Sequence, residues 1–139
     1  MFAMTQLSLR GSWMLILAAL MGAASVGLSA AAAHGLAGLV GPEHIERLQT
    51  ANRYLTHYSL VILVLGLFYQ FRPWPGLRWV VGLFAVGTGI FCGALYILCV
   101  TEISWFARLT PIGGLTLLGA WLLLAGVVWR QGAQSRRES

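Results

Sequence analysis

The sequence predicts an all-α membrane protein: a bundle of four transmembrane helices, with a short amphipathic helix leading into the second span. Three observations predict it. Four long apolar runs, Trp13–Val40, Leu60–Tyr69, Trp79–Val100 and Ile112–Trp129, hold most of the chain. Charged residues make up only 9% of the 139 residues, whereas a soluble domain carries about 25%. Breakers stand between the runs, first Gly41-Pro42 and then Pro73-Trp74-Pro75-Gly76, and these oppose helix continuation. A spanning helix needs roughly 20 mostly apolar residues. The first, third and fourth runs meet that alone, and the second meets it once Arg53–Ser59 joins the helix. A chain of this length forms one integral membrane domain. The expected spans are 13–38, 51–70, 79–100 and 111–130, and the polar tail 131–139 is expected to be disordered.

In the first span, Ala19, Ala23, Gly27, Ala31 and Gly35 recur every four residues. Small residues at that spacing let another helix approach closely. Arg10 and the run Leu28-Ser29-Ala30-Ala31-Ala32-Ala33 also resemble a signal peptide with its cleavage site. The apolar region is longer than the usual stretch of about 7–15 residues, so a retained helix is expected.

Before the second span, Pro42 suits a first helical position and Glu43 the positive end of the helix dipole. Ile45, Leu48 and Leu55 alternate with Glu43, Glu46, Arg47 and Arg53, so Glu43–Thr50 reads as an amphipathic lead-in at the interface. The third span carries Gly82, Gly87, Gly89 and Gly93, the last two forming a GxxxG. In Thr101–Thr110, the pair Trp105-Phe106 suits the interface. Pro111 opens the fourth span, and Gly113-Gly114 follow. Gly27, Gly89, Gly93, Gly113 and Gly114 are expected at helix contacts, within the bundle or toward a protein partner or second copy.

All nine basic residues are arginines, and the net charge of +5 is scattered rather than clustered. That pattern points to topology in a lipid bilayer and not to nucleic acid. Arg10, Arg72, Arg78, Arg130, Arg136 and Arg137 fall on one side, and Arg47, Arg53 and Arg108 on the other. The excess is expected to place both termini in the cytoplasm of a bacterial inner membrane. Trp13, Trp74, Trp79 and Trp129 then form an aromatic belt on that side. Cys92 and Cys99, seven apart, lie ~10 Å apart along one helix face, too far for a disulfide. They read as packing residues.

Chemistry is expected in the outer third of the bundle. His34, Tyr54, His57 and Tyr96 should gather there, with Thr56, Tyr58, Glu102 and Thr110 nearby. Ionisable groups at membrane depth are costly and point to function by default. The competing structural reading is that tyrosines belong to the belt and histidines fix helix register by hydrogen bonding. Connected helices are usually neighbours, so His34 and His57 should approach each other or share Tyr54 and Tyr96. The chain has no HExxH, no CxxC, no phosphate loop and no hydrolytic carboxylate pair. No catalytic residue, metal site or cofactor is therefore expected. The first expectation is a non-enzymatic role, as an interaction protein, small subunit or assembly factor. The alternative is a protein that binds a small molecule, quinone or haem at the periplasmic end, since bundle cores can build such sites from facing helices.

Four blocks also carry a family resemblance. They are Ala32-Ala33-His34-Gly35-Leu36, then Thr50-Ala51-Asn52-Arg53-Tyr54 leading to His57, then Gly87–Tyr96, and finally Thr110–Gly114 with Gly119-Ala120-Trp121. In that order the chain, from about Met14 to Trp129, resembles the small membrane-protein family known as domain of unknown function 423. The matching positions are His34, Tyr54, His57, Gly93, Tyr96, Pro111 and Gly114. The chain departs from the family at Ala32-Ala33, where an aromatic-Gly-Ala run is usual, and at Cys92 and Ala94, where serines are common. The resemblance implies a multi-span α-helical protein of the bacterial plasma membrane, and it implies no established activity.

Overall fold

The computed structural model describes residues 11–35, 38 and 40–138. Four helices follow in order: α1 Ser12–His34, α2 Pro42–Phe71, α3 Leu77–Thr101 and α4 Thr110–Glu138, with a 3-10 turn at Ser104–Arg108 before α4. Each of the four is long and apolar enough to cross a membrane. The chain is an all-α membrane protein.

Helix ends follow local chemistry. Pro42 occupies the first turn of α2 with Glu43 beside it, where a missing N–H costs nothing and a carboxylate meets the positive end of the dipole. The helix stops at Phe71, before Pro73. The 30 residues of α2 span ~45 Å, well beyond a hydrocarbon core of ~30 Å. The surplus is the lead-in, which forms the first turns of α2 rather than a separate helix. The expected disordered tail is also corrected, because α4 continues through 131–138. Gln131, Ala133, Gln134, Arg136 and Arg137 favour helix, and Arg136 and Arg137 lie in its last turn, where cations complement the dipole.

The helices pack in chain order, α1 on α2, α2 on α3 and α3 on α4. The main core joins Met14 and Ala18 of α1, Tyr58 and Ile62 of α2, Phe84 of α3 and Leu117 of α4. A second cluster, Ala51 and Leu55 with Cys92 and Leu95, seals α2 against α3. Phe84 stacks with Tyr58 at 5.4 Å and edge-on with Trp121 at 5.1 Å. Trp121 Nε1 donates to the Tyr58 hydroxyl at 3.4 Å, linking α4 to α2. Both cysteines are buried free thiols, and they face α2. Cys92 Sγ donates to the Ala51 carbonyl at 3.1 Å and Cys99 Sγ to the His44 carbonyl at 3.6 Å.

Of the five glycines expected at helix contacts, only Gly113 makes a close one within the chain, and Gly87 and Gly66, outside that set, make further ones. A Cβ on Gly113 would lie 2.6 Å from the Phe91 backbone nitrogen, and one on Gly87 would lie 2.9 Å from Leu117. These two positions bring α3 and α4 together. On Gly66 a Cβ would meet Leu15 at 2.9 Å, where α2 meets α1. Gly27, Gly89, Gly93 and Gly114 have nothing within 4 Å of such a Cβ, so these four make no close helix contact within the chain. At 100° per residue, Gly89 sits ~200° round the helix from Gly87, on the far side from the buried face. The stripe in α1 likewise lies on an exposed face. Ala19, Ala23, Gly27 and Ala31 are exposed, while Met14, Ala18 and Ser25 form the buried face.

Candidate functional site

The densest polar arrangement inside the bundle is a seam between α1 and α2 with Asn52 at its centre. Ser25 and Ser29 are one turn apart on α1. Asn52 and Thr56 are one turn apart on α2, and Ser59 follows. Each set therefore presents one face of its helix. Ser25 Oγ donates to Asn52 Oδ1 at 3.1 Å and also meets Thr56 Oγ1 closely. Asn52 Nδ2 donates to Ser29 Oγ. From α3, the Tyr96 hydroxyl reaches the same Asn52 Oδ1 at 3.5 Å. Thr56 Oγ1 donates to the Asn52 carbonyl at 2.9 Å, and Ser59 Oγ to the Thr56 carbonyl at 2.8 Å. Both lone pairs of the Asn52 amide oxygen and one of its N–H bonds are thus used, and a single side chain ties together three helices. Such groups at membrane depth are tolerated when they satisfy one another.

The expected cluster of His34, Tyr54, His57 and Tyr96 does not form. His34 is exposed at the last turn of α1. Antiparallel pairing places Ser25 beside Asn52 and Thr56, and Gly22 beside Ser59. In that register His34 is level with about residue 47, some ten residues or ~15 Å from His57 along the axis. His57 is also exposed, on the side of α2 turned away from α1, with its ring edge-on to Tyr58 at 5.2 Å. Tyr54 lies over Phe91 of α3 at 4.6 Å. Tyr96 alone joins the polar seam. The shared-imidazole idea fails on helix phase: Asn52 and Thr56 occupy the side of α2 that meets α1, and His57, one residue beyond Thr56, is rotated ~100° from it.

Arg53, Tyr54, His57 and Tyr58 line an outward recess of about 260 Å³. At the end of the bundle where α2 begins, His44 Nε2 lies 3.4 Å from Glu102 Oε1, joining the first turn of α2 to the end of α3. Glu102 takes a left-handed backbone, φ 56°, which lets it cap α3 and face His44. Among the described residues no group of His, Cys, Asp and Glu side chains is placed to hold a metal.

Ser25, Ser29 and Asn52 were not among the expected site residues. Their signal was present in the sequence as polar side chains at i, i+4 inside apolar helices, which is the pattern of an interhelical hydrogen-bond ladder.

The family described as "Protein of unknown function (DUF423)" matches residues 28–114. The chain belongs to this family. The match runs from α1 to the start of α4 and contains Ser29, Asn52, Thr56, Tyr96 and Gly113. Among DUF423 relatives, the UPF0382 inner membrane protein YgdD of Escherichia coli (strain K12) is 35% identical over 117 residues, covering 84% of this chain and 89% of the relative. The UPF0382 membrane protein SH2409 of Staphylococcus haemolyticus is 34% identical over 110 residues, covering 79% and 89%. The UPF0382 membrane protein SSP2132 of Staphylococcus saprophyticus is 33% identical, covering 79% and 91%. No solved structure matches the chain. This DUF423 protein is an integral, multi-pass membrane protein.

Proposed function

We propose that the protein is a non-enzymatic interaction protein of the inner membrane, a small subunit or assembly factor that binds another membrane-embedded polypeptide through the outward face of α2. One observation carries this reading: polar side chains between the helices hydrogen-bond one another, whereas Arg53 and His57 point out of the bundle. His57 stands fourteen residues before the end of α2, ~21 Å along its axis, about two-thirds of the way across a core of ~30 Å. An imidazole facing lipid at that depth is unfavourable unless something covers it. A transmembrane segment carrying hydrogen-bond acceptors would do so. The recess there, about 260 Å³, falls below the ~300–1,000 Å³ of small-molecule sites, so it suits a partner side chain better than a quinone or haem. The His34–His57 separation also disfavours haem held by that pair.

A photo-crosslinking residue at position 57, in intact membranes, should give one discrete protein adduct. The same residue at the exposed Val26 of α1 should not. Adducts to lipid alone at position 57 would overturn the reading, and a haem or quinone absorption band in the purified protein would replace it with the ligand-binding one.

In the proposed orientation both termini are cytoplasmic, supported by the arginine excess at the end of the bundle that holds Arg72, Arg78 and Arg130. A C-terminal reporter active only in the periplasm should stay silent, and strong periplasmic activity would reverse the orientation.

A further inference from the structure

We propose that the opposite end of the bundle, between α1, α2 and α3, is a binding site for the phosphodiester headgroup of an anionic phospholipid. A cavity of about 790 Å³ lies there, with walls that include Trp13 of α1, Tyr69 and Gln70 of α2, Pro73 of the connection, and Arg78 and Trp79 of α3. Its size is within the range of ligand sites and far exceeds that of a phosphate ion.

The walls carry the donors such a headgroup needs. Both amide atoms of Gln70, Nε2 and Oε1, are buried without a hydrogen-bond partner. A buried unpaired amide is unfavourable, and an unexplained one in a native structure marks a missing partner. The Gln70 Nε2 group can donate to a phosphate oxygen, and Oε1 can accept from a glycerol hydroxyl. Arg78, in the first turn of α3, supplies a planar guanidinium fork that matches two phosphate oxygens. Among the described residues no carboxylate lines the cavity. Of the four glutamates, Glu43, Glu46 and Glu102 lie at the other end of the bundle, where α2 begins and α3 ends, and Glu138 ends α4 outside the cavity lining. Trp13 and Trp79 are exposed, and indole rings favour the headgroup level. Gly82, also in the wall, has open space where a Cβ would stand, which leaves room for the start of an acyl chain. Basic pockets between spans on the cytoplasmic side bind anionic headgroups.

The test is native mass spectrometry of the purified protein, offered phosphatidylglycerol or phosphatidylcholine with identical acyl chains. The wild-type protein should retain phosphatidylglycerol roughly tenfold better, because both lipids carry the phosphodiester but phosphatidylcholine brings a fixed cation beside Arg78 and has no glycerol hydroxyl for Gln70 Oε1. Arg78→Gln should lose most of that preference. Gln70→Glu, which places a carboxylate against the phosphate, should abolish it. Arg130→Gln removes the same charge from the same end of the bundle but outside the cavity, and should keep it. Melting temperatures identify any variant that fails to fold. If Gln70→Glu fails, the comparison of Arg78→Gln with Arg130→Gln decides. Equal retention of both lipids by the wild-type protein, or equal losses in Arg78→Gln and Arg130→Gln, would overturn the proposal. Displacement of phosphatidylglycerol by millimolar inorganic phosphate would assign the site to a free anion and overturn it as a lipid site.

Discussion

Gly113→Ala should lower the stability of the protein in mild detergent by about 3 kcal/mol, at the upper end of the usual overpacking range. The added Cβ would lie 2.6 Å from the nitrogen and 2.8 Å from the Cα of Phe91. Both are backbone atoms of α3, held in a helical hydrogen-bond ladder, so no side chain can turn aside. Either α4 moves away from α3 or the helix distorts. Replacing glycine in a helix otherwise favours folding by about 1 kcal/mol, which is too little to offset the clash. Gly93→Ala is the matched control. Its Cβ would meet nothing within 4 Å, so only the propensity gain remains, and the melting temperature should hold or rise. If both substitutions behave alike, the α3–α4 contact is not where the structure places it.

Asn52→Leu should cost about 2 kcal/mol. Interhelical hydrogen bonds in membranes average about 0.6 kcal/mol and reach about 1.7. Asn52 makes three of them, to Ser25, Ser29 and Tyr96, and leucine would leave all three hydroxyls without that partner. Ser29→Ala removes one contact and should cost well under half as much. A double-mutant cycle provides the sharper measurement. Once Asn52 is leucine, Ser25→Ala should cost less than it does alone, because contacting residues couple. Strictly additive effects would mean that Ser25 and Asn52 do not share a bond.

By itself the sequence determined the number of spans, the all-α class and the breaks between helices. It could do so because a bilayer requires each spanning segment to satisfy its backbone internally and to be apolar for its full thickness. Composition and the positions of Pro42, Pro73 and Pro75 carry that information along the chain. The family was legible for a related reason: ordered blocks around His34, Asn52, Gly93 and Pro111 are linear features. Helix phase was less legible. In a soluble helix, polarity reveals the buried face, but here both faces are apolar and a glycine reads the same toward lipid as toward a helix. Gly89-Gly93 and Gly113-Gly114 therefore looked alike, and only the packing of α4 on α3 separated Gly113, which makes a close contact as Gly87 does, from Gly89, Gly93 and Gly114, which make none. Similarly, His34 and His57 looked paired because both stand near one end of adjoining spans. The register of α1 on α2, fixed by Ser25, Ser29, Asn52 and Thr56, separates them. Depth in the membrane can be counted along the chain, but rotation and register are set by which side chains interlock, and that is decided only when the helices meet.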